Sequence, residues 1–153
     1  MGNRALVIFC DDADTTGGAG VYLHWNGGPE SIYPMLDYLS GKAGMNHSAS
    51  YTMARFCQAV GNFFGGTTSI GLLPVPALVS DLREQAASYS HGDNGLYLLK
   101  IAAGSYGIVG RYMDGAWLDG DVSAAERERA ILSRHGREMT AHLATLNDPF
   151  FNR

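Results

Sequence analysis

The stretch from Gly20 to Ser31, Gly-Val-Tyr-Leu-His-Trp-Asn-Gly-Gly-Pro-Glu-Ser, constrains this chain more than any other. Val21–Trp25 is β-branched, aromatic and apolar, the composition of a buried strand, so Trp25 is expected in the core. Asn26, Gly27 and Gly28 tolerate positive φ and allow a sharp turn. A helical pattern follows from about Ser31 to Leu39. Pro34 fits it only within the first turn, where its missing N–H is no loss, which puts the N-cap in Pro29–Ser31 with Ser31 the best chemical candidate. A strand, a glycine turn and a helix N-terminus together can aim free N–H groups at an anion. They can equally form a tight connection and nothing more.

Around this stretch the chain reads as a mixed α+β domain, with a mostly antiparallel mixed sheet packed against helices and a long C-terminal helix. Arg4–Cys10 is apolar on both faces and belongs near the middle of a covered sheet. Asp11–Gly20 is a ten-residue acidic loop that makes the first two strands neighbours. Tyr51–Phe64 carries Met53, Phe56, Cys57, Val60, Phe63 and Phe64 at core-facing helical spacing, and Gly65-Gly66 caps it. Thr67–Leu73 is a third strand, stopped by Pro74 and Pro76, and Leu78–Ala87 suits a short helix. Leu96–Ile101, Gly107–Met113 and Ala116–Leu118, with a tight turn at Asp114-Gly115, form an antiparallel meander. Ser123 and Glu126 have capping-box spacing and open a helix to about Leu146, roughly 35 Å long. Its stripe is Leu132, His135, Met139, Leu143 and Leu146, and Gly136 weakens its centre by up to about 1 kcal/mol relative to alanine. Phe150-Phe151 are expected to dock.

At 153 residues the chain is expected to be one domain, 1–153, and 46% hydrophobic with 17% charged residues is a globular composition. The net charge of −4 argues against binding nucleic acid by bulk phosphate neutralisation. Residues 1–120 hold six Lys/Arg against ten Asp/Glu, and 121–153 hold five of each, so neither part is basic. Cys10 and Cys57 are too few for a disulfide framework and sit in apolar stretches. Nothing at the N-terminus has the form of a signal peptide, and Ala5–Cys10 is too short to span a membrane, which makes the cytoplasm the expected address.

Several motifs carry chemistry on paper. Asp12-Ala13-Asp14-Thr15-Thr16 after a strand resembles the Asp-x-Asp-x-Thr signature of the haloacid-dehalogenase phosphotransferases. The resemblance implies Asp12 as nucleophile, Asp14 as acid/base and a Mg²⁺ site. That fold needs a crossover helix after the motif, whereas here a strand arrives within ten residues. The loop also imitates an EF-hand at Asp12, Asp14, Thr16 and Gly17, but the position of the bidentate Glu holds Leu23. An acidic solvated loop without metal is the expectation. His24 is the sharpest catalytic candidate by residue type, and a His24–Cys10 pair depends on strand register. His91 with Asp93 belongs first to a turn. His135 and His142 lack partners at zinc spacing, and no cofactor is expected.

Gly20–Ser31, taken with Ala54–Thr67, Asp93–Tyr97 and Gly107–Arg111, resembles a family of small uncharacterised proteins of bacteria, their prophages and plasmids, over roughly residues 4–112. The resemblance supplies no catalytic residues. It implies a setting in mobile elements, where small acidic proteins serve host takeover or counter-defence. The resulting reading is a non-enzymatic binding or inhibitor protein. Its partner is a bacterial defence protein or a small nucleotide-like signal. The alternative is a small hydrolase or phosphotransferase using His24 or Asp12 and Asp14. The candidate binding residues are His24, Trp25, Asn26, Gly27, Gly28, Glu30 and Ser31, with Asn62 and Arg111 as additions near glycines at element ends. The C-terminal helix, with Arg127, Arg134 and Arg137, is the second contact surface and a candidate site of homo-oligomerisation.

Overall fold

The computed structural model describes residues 2–40, 45, 48–64, 70–102 and 104–145, with the backbone alone for 62–64. Its elements run β1 (Ala5–Cys10), β2 (Ala19–Leu23), α1 (Pro29–Ser40), α2 (Ala49–Phe64), β3 (Ile70–Pro74), α3 (Val79–Glu84) and α4 (Ala86–Tyr89). Then come β4 (Leu96–Ala102), β5 (Ser105–Met113), β6 (Ala116–Leu118), α5 (Gly120–Leu132) and α6 (Arg134–Ala144). The expected cap at Gly65-Gly66, the start of the third strand at Thr67–Ser69 and the docking of Phe150-Phe151 lie outside the described residues.

The architecture is α+β, around one six-stranded sheet in the order β3-β2-β1-β4-β5-β6. β1 pairs antiparallel with β2, the neighbour expected across the ten-residue acidic loop, through Ala5 opposite Leu23 and Val7 opposite Val21. On its other side β1 runs parallel to β4, with Leu6 opposite Leu96 and Cys10 opposite Lys100. Every other pairing is antiparallel, so the sheet is mixed by that one junction. The meander β4-β5-β6 forms as expected, and its Asp114-Gly115 turn has φ of 51° and 84°, the left-handed pair of a tight hairpin.

Strand alternation divides the core in two. Ala5, Val7 and Phe9 of β1, with Val21, Leu23, Tyr97 and Leu99, pack beneath α1, α2, α5 and α6. Leu6, Ile8 and Cys10, with Leu96, Leu98 and Tyr112, pack against α3 and α4. This is why all six residues of β1 are buried. Among the described residues no helix is long and apolar enough to cross a membrane.

Three local expectations change. α1 begins at Pro29, two residues before Ser31, with Gly28 O accepting from both Ser31 N and Ile32 N at 3.0 Å. Pro29 takes the first helical position, which tolerates a missing N–H, and Pro34 falls inside the helix. The C-terminal helix starts at Gly120, where the Asp119 side chain accepts from Val122 N, so Ser123 is an interior buried residue and not a cap. It is also divided. Ser133 leaves the helical region at ψ 160°, ends α5, and opens α6 by accepting from Gly136 N at 3.0 Å.

Candidate functional site

The turn after β2 is built from the backbone outwards. Asn26 adopts the left-handed region at φ 57°, which asparagine tolerates. Gly27 N donates to Asn3 O at 2.8 Å, and a Cβ on Gly27 would lie 2.6 Å from that carbonyl oxygen and 2.7 Å from Ala5 Cβ. Only glycine fits so close to the start of β1. Its carbonyl accepts from the buried Tyr97 hydroxyl at 2.8 Å. The Glu30 carboxylate folds back over Gly28 and takes the space above it. The turn is therefore occupied by the chain itself, and the glycines serve packing.

His24 and Trp25 turn away from α1. Tyr22, whose side chain packs on the α3/α4 side of the sheet, places its hydroxyl 2.9 Å from His24 Nδ1. The His24 ring stands edge-on to Trp25 at 4.9 Å. Trp25 is 47% exposed, against the expectation of a core residue, since it lies two residues beyond Leu23, where β2 ends. His24 cannot reach Cys10: Leu23 sits opposite Ala5 at one end of β1, and Cys10 bridges Thr16 at the other. Burial pushes the Cys10 thiol up to about 11, and burial also raises that of Cys57, so both resist forming thiolate.

The acidic loop is a local turn. The Asp11 carboxylate accepts from Ala13 N, Thr15 N and the Thr15 hydroxyl at 3.0, 3.1 and 2.8 Å. The Thr15 hydroxyl bond, first of these, holds its pKa below the ordinary aspartate value. Asp14 pairs with Lys100 at 3.2 Å, and Asp12 is exposed to solvent. Among the described residues no group of three His, Cys, Asp or Glu side chains is placed to hold a metal ion.

The chemically richest place is where the start of α1 meets the α5–α6 corner. Ser31 Oγ lies 3.2 Å from His135 Nε2 and 3.4 Å from Asn26 Oδ1. This joins the turn to the first residues of α6. An open recess of about 530 Å³ lies here, walled by Pro29 and Glu30 of α1, Glu126 and Arg129 of α5, and Arg134 and His135 of α6.

Arg111 underlies that wall. It sits on β5 opposite Tyr97, is 0% exposed, and is among the largest fully buried side chains. Its Nε donates to Glu126 Oε1 at 2.9 Å. Nη1 donates to Asn94 O and, at 3.4 Å, to Leu96 O. The guanidinium lies 3.8 Å over the Tyr97 ring. The Tyr33 hydroxyl also donates to Glu126 Oε1 at 3.4 Å, and burial, first of several causes, raises the pKa of both Tyr33 and Tyr97. An ion pair this deep survives only with such surrounding bonds, since desolvation costs several kcal/mol per charge. Arg111 Nη2 is buried with no hydrogen-bond partner.

A second depression, of about 480 Å³, contains Asp37, Tyr106 and Arg127. These three satisfy one another: Arg127 Nη2 reaches both Asp37 oxygens at 2.9 and 3.1 Å, and the Tyr106 hydroxyl donates to Asp37 at 2.7 Å.

Of the residues singled out in the sequence, Asn26, Glu30, Ser31 and Arg111 thus gather at or beneath the recess. Gly27 and Gly28 shape the backbone below it, and His24 and Trp25 face elsewhere. Asn62 falls in the last turn of α2, and its side chain lies outside the described residues. Glu126, Arg129 and His135 complete the recess and are absent from the binding candidates read in the sequence. The corner that gathers them is marked in the sequence only by Ser133, a residue type favoured at helix starts, inside an apparent single helix. Compared with known proteins, the chain matches no family model, no curated protein and no solved structure.

Proposed function

We propose that this chain acts by binding, as a non-enzymatic inhibitor of a bacterial protein, through the recess between α1 and the α5–α6 corner. The observation that carries this reading is the make-up of that corner. Leu132 is 64% exposed between Arg129 and the highly exposed Arg134, beside His135. Arginine is the residue type in this corner that is enriched at recognition surfaces. The resemblance of Gly20–Ser31 and its companion blocks to proteins of prophages and plasmids supports a counter-defence setting and a partner from the defence machinery.

The alternative enzymatic reading has little support. His24 is engaged by Tyr22, and Asp14 by Lys100. The test is capture of a defined protein from bacterial lysate by the wild-type chain, compared with the double variant Arg129→Glu, Arg134→Glu. Loss of that protein with an unchanged melting temperature is expected. Equal capture by both would sink this surface as the binding site.

A further inference from the structure

We infer that the outer edge of β3 pairs with β3 of a second copy of this chain, antiparallel across a twofold axis at Leu72. The backbone sets up the contact. Val75 N donates to Gly18 O at 3.0 Å, and the same register continues through Leu73 opposite Gly20 and Gly71 opposite Tyr22. Hydrogen bonding alternates along a strand, so Gly71 and Leu73 turn their N–H and C=O groups to β2, while those of Ile70 and Leu72 point away from the sheet. β3 is the last strand on its side, and the outward groups of Ile70 and Leu72 have no hydrogen-bond partner among the described residues. None of its five residues is buried, and Leu72 is 60% exposed.

The two edges of the sheet are finished differently. β6 is three residues long and sits between Asp114 and Asp119, a short charged edge of the kind that resists pairing. β3 has neither safeguard. It lies in the longest run of the sequence without Asp, Glu, Lys or Arg, between Arg55 and Asp81. An uncharged edge with a projecting leucine is open to a further strand.

Charge and symmetry select the occupant. The chain carries a net charge of −4, so two copies repel unless they meet where neither brings charge. β3 meets that condition; the α5–α6 corner, with Arg129, Arg134 and Glu138, does not. With the axis at Leu72, each Leu72 N–H donates to the other copy's Leu72 carbonyl, and each Ile70 N–H to the other copy's Pro74 carbonyl. This register uses every outward residue of the strand. Leu72 lies opposite Val21, a core residue on the α1/α2 face, so the two Leu72 side chains meet on that face and cover each other. Pro74 offers no N–H and ends the ladder. The same patch serves both copies, so the pair closes on itself and does not grow into a fibre. None of the residues walling the recess lies on β3, and a twofold pair presents the recess twice.

The experiment is analytical ultracentrifugation of the whole chain from micromolar to millimolar concentration, joined to amide hydrogen exchange at both ends of that range. A reversible monomer–dimer equilibrium is expected. The Ile70 and Leu72 amides should exchange freely in dilute solution and slow about tenfold or more in the dimer. Leu72→Lys sets like charges opposite each other and should weaken the dimer about tenfold or more, with the melting temperature of the dilute chain unchanged because the site is exposed. Leu72→Pro deletes an N–H that β2 does not use and should likewise leave a monomer. Leu132→Lys, at the exposed α5–α6 corner, should dimerise as the wild type does. A chain that stays monomeric to millimolar concentration overturns the inference, whether its edge is then free or taken by a strand of another protein. Dimerisation unchanged in Leu72→Lys, or a dimer whose Ile70 and Leu72 amides exchange as in the monomer, places the contact elsewhere and overturns it as well.

Discussion

His91 is the residue whose chemistry the rest of the fold constrains most visibly through pH. Its ring lies 4.8 Å from that of Tyr22 with the planes tilted at 53°, its Nε2 is buried without a partner among the described residues, and Arg4 and Asp93 are the charged groups beside it. Burial, and then the Arg4 charge, lower its pKa below the ordinary 6.5, with Asp93 opposing. The unfolded chain therefore takes up a proton here before the folded chain does. Stability should be level above about pH 6.5 and fall as the pH drops below that value towards the folded pKa. Asp93 stays ionised throughout, because its hydrogen bonds from Arg4 hold it down at about 2. Replacing His91 by Gln should flatten this part of the profile, read as urea midpoints at about pH 5 and about pH 7.5. A slope of the same size in His91→Gln would assign the acid sensitivity to another group.

At the scale of elements, the α5–α6 corner is where sequence and structure part. A stripe of Leu132, His135, Met139 and Leu143 reads as one helix face, yet Met139 and Leu143 are buried while Leu132 is exposed. The break at Ser133 turns the two halves separately, and a periodicity count cannot see it because the spacing runs through unbroken. Gly136 records it. As the centre of one long helix it is a weak point, and alanine there should stabilise by up to about 1 kcal/mol. In the corner it lies so close to the end of α5 that a Cβ would collide with Ala130 O and approach Ile131 O to 3.1 Å. The two readings predict opposite signs for Gly136→Ala. The corner geometry requires the substitution to destabilise, by about 1–3 kcal/mol as for an overpacked site, measured as a drop in denaturation midpoint at unchanged slope. A gain in stability would mean one continuous helix. The corner also explains the partial legibility of the site. Ser31 and Glu30 are visible in the sequence as a helix start, but Ser31 is joined to His135 across 104 residues, a separation no local pattern encodes. Arg111 is visible there only as a charge near a glycine. Its burial follows from lying opposite Tyr97 in the pairing of β4 with β5.

For the whole molecule, β1 is the junction of both cores and of both halves of the sheet. Its apolar run betrays its central position, since only a strand covered on two faces can lack polar residues. The parallel partner is not readable from the chain, because β4 lies some ninety residues on and either neighbouring hairpin could meet β1 with the same hydrophobic pattern. That topology predicts a gradient of local stability. β1 is bonded on one side to β2 and on the other to β4, while β3 and β6 stand at the edges of the sheet. β3 carries an exposed Leu72, at 60%, and β6 is three residues long. Amides bonded within the sheet in β1 and β4 should therefore exchange only on global unfolding, and those of β3 and β6 should exchange through smaller openings. Native-state hydrogen exchange in low denaturant separates the two classes by their denaturant dependence. The slowest amides should report opening free energies equal to the global value, commonly about 5–15 kcal/mol for a domain, and should converge on one denaturant slope. If β3 were protected as strongly as β1, its outer edge would have to be covered in solution. The order β3-β2-β1-β4-β5-β6 would then describe only part of a larger sheet.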